Sequence, residues 1–139
     1  MNDFIVSIYE PFLDYDLYSE FLGIIYNNND FATIGYLIFL LPFVGMFAFY
    51  KFWDPVRKQI LWWGLSLTFI AFASYGITTS ILFDNKDLLA LIGNTQEPDG
   101  RMLIVNISMT SLFYASVISF IYSLIIKRFF SSNNSHNPF

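Results

Sequence analysis

The most regularly spaced polar side chains in this sequence are hydroxyls. Ser111, Ala115, Ser119 and Ser123 recur every fourth residue, and Ser108 and Ser116 fall near the same side of a helix. Small residues at that spacing let a second helix approach closely, and their hydroxyls can bond across the contact. The same groups can instead bond to their own turn or line a hydrated pore. Asn106 is the most polar group of this stretch. Its amide needs a partner if buried, and Asn106-Ile-Ser108 also fits an N-glycosylation pattern, at a depth that disfavours modification.

Other chemistry finds little to work with. The chain has no cysteine, which excludes a disulfide scaffold, a thiolate metal site and a cysteine nucleophile. The single histidine, His136, lies in a polar tail, so one chain cannot build a multi-histidine metal centre. Asp14, Asp16 and Glu20 are the densest acids. Asp14 and Asp16 are two apart and do not share a helix face; Asp16 and Glu20 do, without further ligands, and read as a solvated face. Gly93 and Gly100 do not make a phosphate-binding glycine motif. The sequence therefore predicts no catalytic residue, no cofactor and no metal.

The elements that position the hydroxyls are membrane spans. Residues 102–126 carry no formal charge and lie between Arg101 and Lys127–Arg128. As a helix they extend about 37 Å, enough to cross a hydrocarbon core about 30 Å thick. Two further apolar stretches, about 31–50 and 60–83, accompany them. Hydrophobic residues make up 55% of the 139 residues and aromatics 21%, a surplus that lipid can solvate and a small soluble shell cannot. The predicted fold is an all-α membrane protein with three transmembrane helices plus a short amphipathic N-terminal helix. Gly64, Thr68, Ala71 and Ser74 in the second span are the expected mate of the serine stripe, with Thr78 and Thr79 further along. Pro42 divides the first span, and Gly35, Gly45 and Ala48 offer close-contact positions. Lys51, Trp53, Arg57, Lys58, Trp62, Trp63, Lys127 and Arg128 read as anchors in the headgroups and aromatic belt.

Outside the spans, residues 1–8 include Asp3 and lack a positive region, unlike a signal peptide. One helix is expected from Pro11 to about Tyr26, with Leu13, Leu17, Phe21 and Ile24 as its apolar stripe and its acids outside the hydrocarbon core. Asp30 is available to cap the first span, Asp54-Pro55 to start the second, and Asp99 to cap the third. The outer loop 84–100 is expected to hold a short helix through Ile92, capped by Asp84, and the turn Glu97-Pro98-Asp99-Gly100. Residues 128–139 are expected to form a flexible cytoplasmic tail.

Five of seven Lys and Arg fall in the 51–58 connection and the 127–128 flank, and ten of eleven acids fall on the other side. The positive-inside tendency then places the N-terminus outside and the C-terminus in the cytoplasm of a bacterial inner membrane. A net charge of −4 without a basic surface argues against nucleic acid as a partner. The expected partners are the lipid bilayer and other membrane-complex subunits or copies of the chain. The leading expectation is a structural or anchoring subunit of a larger complex. In architecture alone, three spans with a basic, polar tail resemble some phage holins, which implies a membrane-permeabilising alternative beside a small channel.

Overall fold

The computed structural model describes residues 1–53, 58–96 and 99–130. Six α-helices follow one another in these residues: α1 (Asn2–Tyr9), α2 (Ser19–Asn27), α3 (Asp30–Ala48), α4 (Gln59–Asp84), α5 (Lys86–Asn94) and α6 (Gly100–Phe130). A 3-10 turn, Glu10–Phe12, follows α1, and a π-helical turn, Phe49–Trp53, extends α3. Three stretches, Asp30–Phe52, Ile60–Asp84 and Gly100–Phe129, are long and apolar enough to cross a bilayer. The chain is an all-α, multi-pass membrane protein.

The three long helices pack on one another, with the most extensive contact between α4 and α6. Two bonds fix their antiparallel register. Thr79 and Ser108 share a hydrogen bond of 2.8 Å at one end, and Trp63 Nε1–H donates to Ser123 Oγ at 2.8 Å at the other. The helix α3 runs alongside in the direction of α6, its far end held by a 2.7 Å bond between the Tyr50 and Ser123 hydroxyls. Pro42 is buried within α3, which continues through it to Ala48. Close approach is possible because Gly45 has no side chain: a Cβ there would stand 2.6 Å from Ile70 Cδ1.

The N-terminal segment is not the single helix expected over 11–26. Leu13 takes extended backbone angles, φ −119° and ψ 134°, after the 3-10 turn containing Pro11. Asp14 then organises a local turn, its carboxylate accepting the Leu17 N–H at 3.3 Å and its carbonyl the Tyr18 N–H at 3.1 Å. An aspartate that captures nearby amides competes with helix formation. The break shifts the phase of the apolar face. Phe21, Leu22 and Ile25 are buried in α2, whereas Leu17 is 51% exposed.

The first turn of the chain sits against the bundle. Ile5 and Tyr9 are fully buried, and a Cβ on Gly35 would collide with Ile5. They join a core cluster with Phe21, Phe31, Leu82, Leu88 and Leu103 at one end of the bundle. A smaller cluster of Met46, Phe49, Tyr50, Ile70 and Ile126 closes the other end.

Two helix starts differ from the sequence expectation. Asp30 opens α3 without capping it; its carboxylate instead accepts the Asn85 amide at 2.7 Å. Asn85, one residue beyond the expected Asp84, caps α5 by accepting the Leu88 N–H at 3.0 Å. The α3 amide of Ala32 is satisfied by Asn2 Oδ1 at 3.0 Å, while Asn2 Nδ2 donates to the Tyr26 carbonyl at 2.8 Å. Asn29 takes φ 58° between the two helices, a left-handed conformation that asparagine tolerates. The helix α4 begins after Lys58, itself at φ 60°; Asp54, Pro55, Glu97, Pro98 and the tail 131–139 lie outside the described residues. Asp99 does cap α6, accepting the Arg101 N–H at 3.0 Å.

Candidate functional site

The serine stripe lies inside the bundle. Ser108, Ser111, Ala115 and Ser119 are 0% exposed and Ser123 is 1% exposed. On the facing helix Ala71, Ser74 and Thr78 are buried. Together they make a seam of small residues and hydroxyls along most of the α4–α6 contact. Gly64 and Thr68 are not part of it. Nothing stands within 4 Å of a Cβ built on Gly64, and Thr68 is exposed and donates to the Gly64 carbonyl at 2.8 Å.

The hydrogen bonds of α6 draw α1, α4 and the π-helical turn onto it. Ser111 Oγ donates to its own Ile107 carbonyl at 3.0 Å, which leaves it to accept the Tyr9 O–H at 2.5 Å. Burial pushes the Tyr9 phenol far above its ordinary pKa, the Ser111 hydrogen bond working the other way. Tyr9 is therefore a neutral donor at any physiological pH. Tyr114 Oη–H donates to the Ile8 carbonyl at 2.9 Å, and Phe12 packs edge-on to the Tyr114 ring. At the other end Ser123 gathers Tyr50 of the π-helical turn and Trp63 of α4. Trp63, expected as an interface anchor, thus turns its N–H inward.

The remaining sequence candidates are placed as follows. Asn106 is half-buried and its carbonyl accepts the Thr110 hydroxyl at 2.8 Å. Ser116 is half-buried and bonds its own turn at Leu112. Lys51, Lys58 and Arg128 are exposed, Trp62 is 39% exposed and Lys127 is half-buried. Arg57 lies outside the described residues, as does the side chain of Trp53.

Among the described residues, three seam hydroxyls, Ser74 Oγ, Thr78 Oγ1 and Ser119 Oγ, are buried without a hydrogen-bond partner. Each such group costs about 1–3 kcal/mol relative to a satisfied one. Among the described residues, no three His, Cys, Asp or Glu side chains come together in a way that could hold a metal ion. The chemistry the seam can perform is hydrogen bonding between neutral groups in an apolar surround.

Sequence reasoning located the hydroxyls but missed Tyr9, Tyr50 and Asn2. The signal for Tyr9 lay in its spacing from Ile5, four residues earlier, which marks an apolar helix face in a stretch too short to be read as an element. No family model matches this sequence, and no curated protein or solved structure matches it either.

Proposed function

We propose that this protein is a non-catalytic structural or anchoring subunit of a larger assembly in a bacterial inner membrane, with its N-terminus outside. The observation that supports this reading is the outward face of α4. Only 17% of the most apolar 18-residue stretch of α4 is buried, against 33% in each of the other two spans. On its exposed side Gly64, Thr68, Gly76 and Ser80 fall at four-residue steps with Phe72 between them, so two small pairs flank one aromatic. The hydroxyls of Thr68 and Ser80 are satisfied by their own turns, at the Gly64 and Gly76 carbonyls. Such a face needs no polar partner and lets a second helix come close.

Gly64 and Gly76 make this reading testable, because a Cβ at either position meets nothing within 4 Å among the described residues. Gly64→Leu and Gly76→Leu are expected to leave the thermal unfolding of the purified protein unchanged or slightly raised, since leucine favours helix over glycine by up to about 1 kcal/mol. Both should shift the native assembly to smaller species in detergent chromatography. Assembly that survives both substitutions would reject the subunit reading.

A second reading, a small channel or holin-like permeabilising protein, is favoured by the unpartnered Ser74, Thr78 and Ser119 hydroxyls, which water could satisfy. Liposome flux measured on Ser74→Ala and Ser119→Ala separates the two. Changed flux with assembly retained supports the channel.

A further inference from the structure

We propose that a groove between the end of α3 and the first half of α4 binds an anionic diacyl phospholipid, with one acyl chain along the groove and the phosphate between Lys51 and Lys58. The groove encloses about 650 Å³, within the roughly 300–1,000 Å³ of pockets that take a small molecule. Gly45, Ala48 and Phe49 form one wall, and Trp62, Leu65 and Phe69 the other. Ile70 forms the floor, closing against Gly45.

The lining asks for hydrocarbon. Its two hydroxyls, Ser66 and Thr68, both donate to carbonyls of their own helix, at Trp62 and Gly64. Neither requires a polar ligand. From Trp62 to Ile70 the groove follows α4 for eight residues, about 12 Å. That is most of the depth of one leaflet, about 15 Å in a core about 30 Å thick. A single acyl chain entering from the nearer membrane surface fits this length.

The charge at the mouth selects the headgroup. Lys51 lies two residues beyond Phe49, and Lys58 lies one helical turn before Trp62. Both are exposed. Lys127 and Arg128 end α6 at the same end of the bundle, where Ile126 packs with Phe49 and Ile70. Basic side chains at the membrane edge of an interhelical cleft favour anionic headgroups. A zwitterionic lipid would fill the groove equally well but gain less from the two ammoniums, because its own cationic group offsets the charge of its phosphate.

The test uses the full chain purified in detergent and offered equal amounts of phosphatidylglycerol and phosphatidylcholine with identical acyl chains. Native mass spectrometry then counts the lipid retained. The wild type is expected to retain phosphatidylglycerol in excess. The exposed double variant Lys51→Gln/Lys58→Gln should lower that preference by up to roughly twenty-five-fold, about fivefold for each ammonium removed. Ala48→Phe, which fills the groove without touching either charge, should lower retention of both lipids while circular dichroism stays unchanged. Equal retention of the two lipids by the wild type, or a preference that survives loss of both lysines, would overturn the proposal. So would lipid-free wild-type dimers that Ala48→Phe separates, because the occupant would then be a second copy. Gly64 lies outside the groove lining, as does Gly76, so loss of assembly in their leucine variants leaves this test unaffected.

Discussion

Tyr9 stands 102 residues before Ser111, yet the two hydroxyls meet at 2.5 Å in a fully buried contact. This one bond ties the start of the chain to its last helix. Its strength is modest, because Ser111 keeps a second bond to the Ile107 carbonyl when the phenol is removed. Tyr9→Phe therefore leaves no orphaned donor, and a loss of about 1 kcal/mol is expected from thermal unfolding in detergent. Tyr9→Ala removes the ring as well, together with its edge-on contact to Phe31. It should cost more, about 3–5 kcal/mol, by leaving a cavity. Equal losses in the two variants would mean that the ring contributes nothing beyond its hydroxyl. The side chains that sequence alone could assign were those whose period is visible, Ser111, Ala115, Ser119 and Ser123. Their aromatic partners were not legible. Nothing local marks Tyr50 or Trp63 as inward-facing, since an aromatic near a charged flank reads equally well as a headgroup anchor, and the one mark of Tyr9 is its spacing from Ile5.

At the level of elements, α1 is positioned by the absence of a side chain at Gly35, into whose place Ile5 packs. Gly35→Val is expected to push α1 away and to destabilise by about 1–3 kcal/mol through overpacking. Adding Ile5→Ala should recover part of that loss, giving a favourable coupling of about 0.5–3 kcal/mol in a double-mutant cycle. Strict additivity would show that α1 does not rest on α3. The three long helices were readable because length and lack of charge are enough to define a span. The break at residues 13–18 was not. Leu13, Leu17, Phe21 and Ile24 keep helical spacing straight across it, so the pattern continues where the backbone stops. Inward and outward small residues on α4 were also indistinguishable. Lipid tails and protein interiors are equally apolar, so Gly64 and Ala71 look alike until the packing is known. Caps were legible only where the side chain reached its own helix, as at Asp99. Asn2, which caps α3 from another element, carries no such local mark.

Across the whole molecule, charge and packing are both unevenly distributed. The cluster beside the acid-rich end draws on α1, α2, α5 and all three spans, while the cluster at the basic end has five buried residues among those described. The five-to-two partition of Lys and Arg motivates an orientation with the basic end in the cytoplasm. Reporter fusions at residues 1, 56, 94 and 139 are expected to report outside, inside, outside and inside; reversed readings at both termini would reject that orientation. The long-range bond at Ser111 has a further consequence, for the order of assembly. Chains emerge N-terminal end first, so α1 is synthesised long before the helix that receives its phenol exists. While α3 and α4 enter the membrane, Tyr9 must keep its hydroxyl hydrated or share it with a temporary acceptor. The contact of Ile5 with Gly35 can form as soon as α3 is made, whereas the bond from Tyr9 waits on synthesis of the chain beyond Ser111.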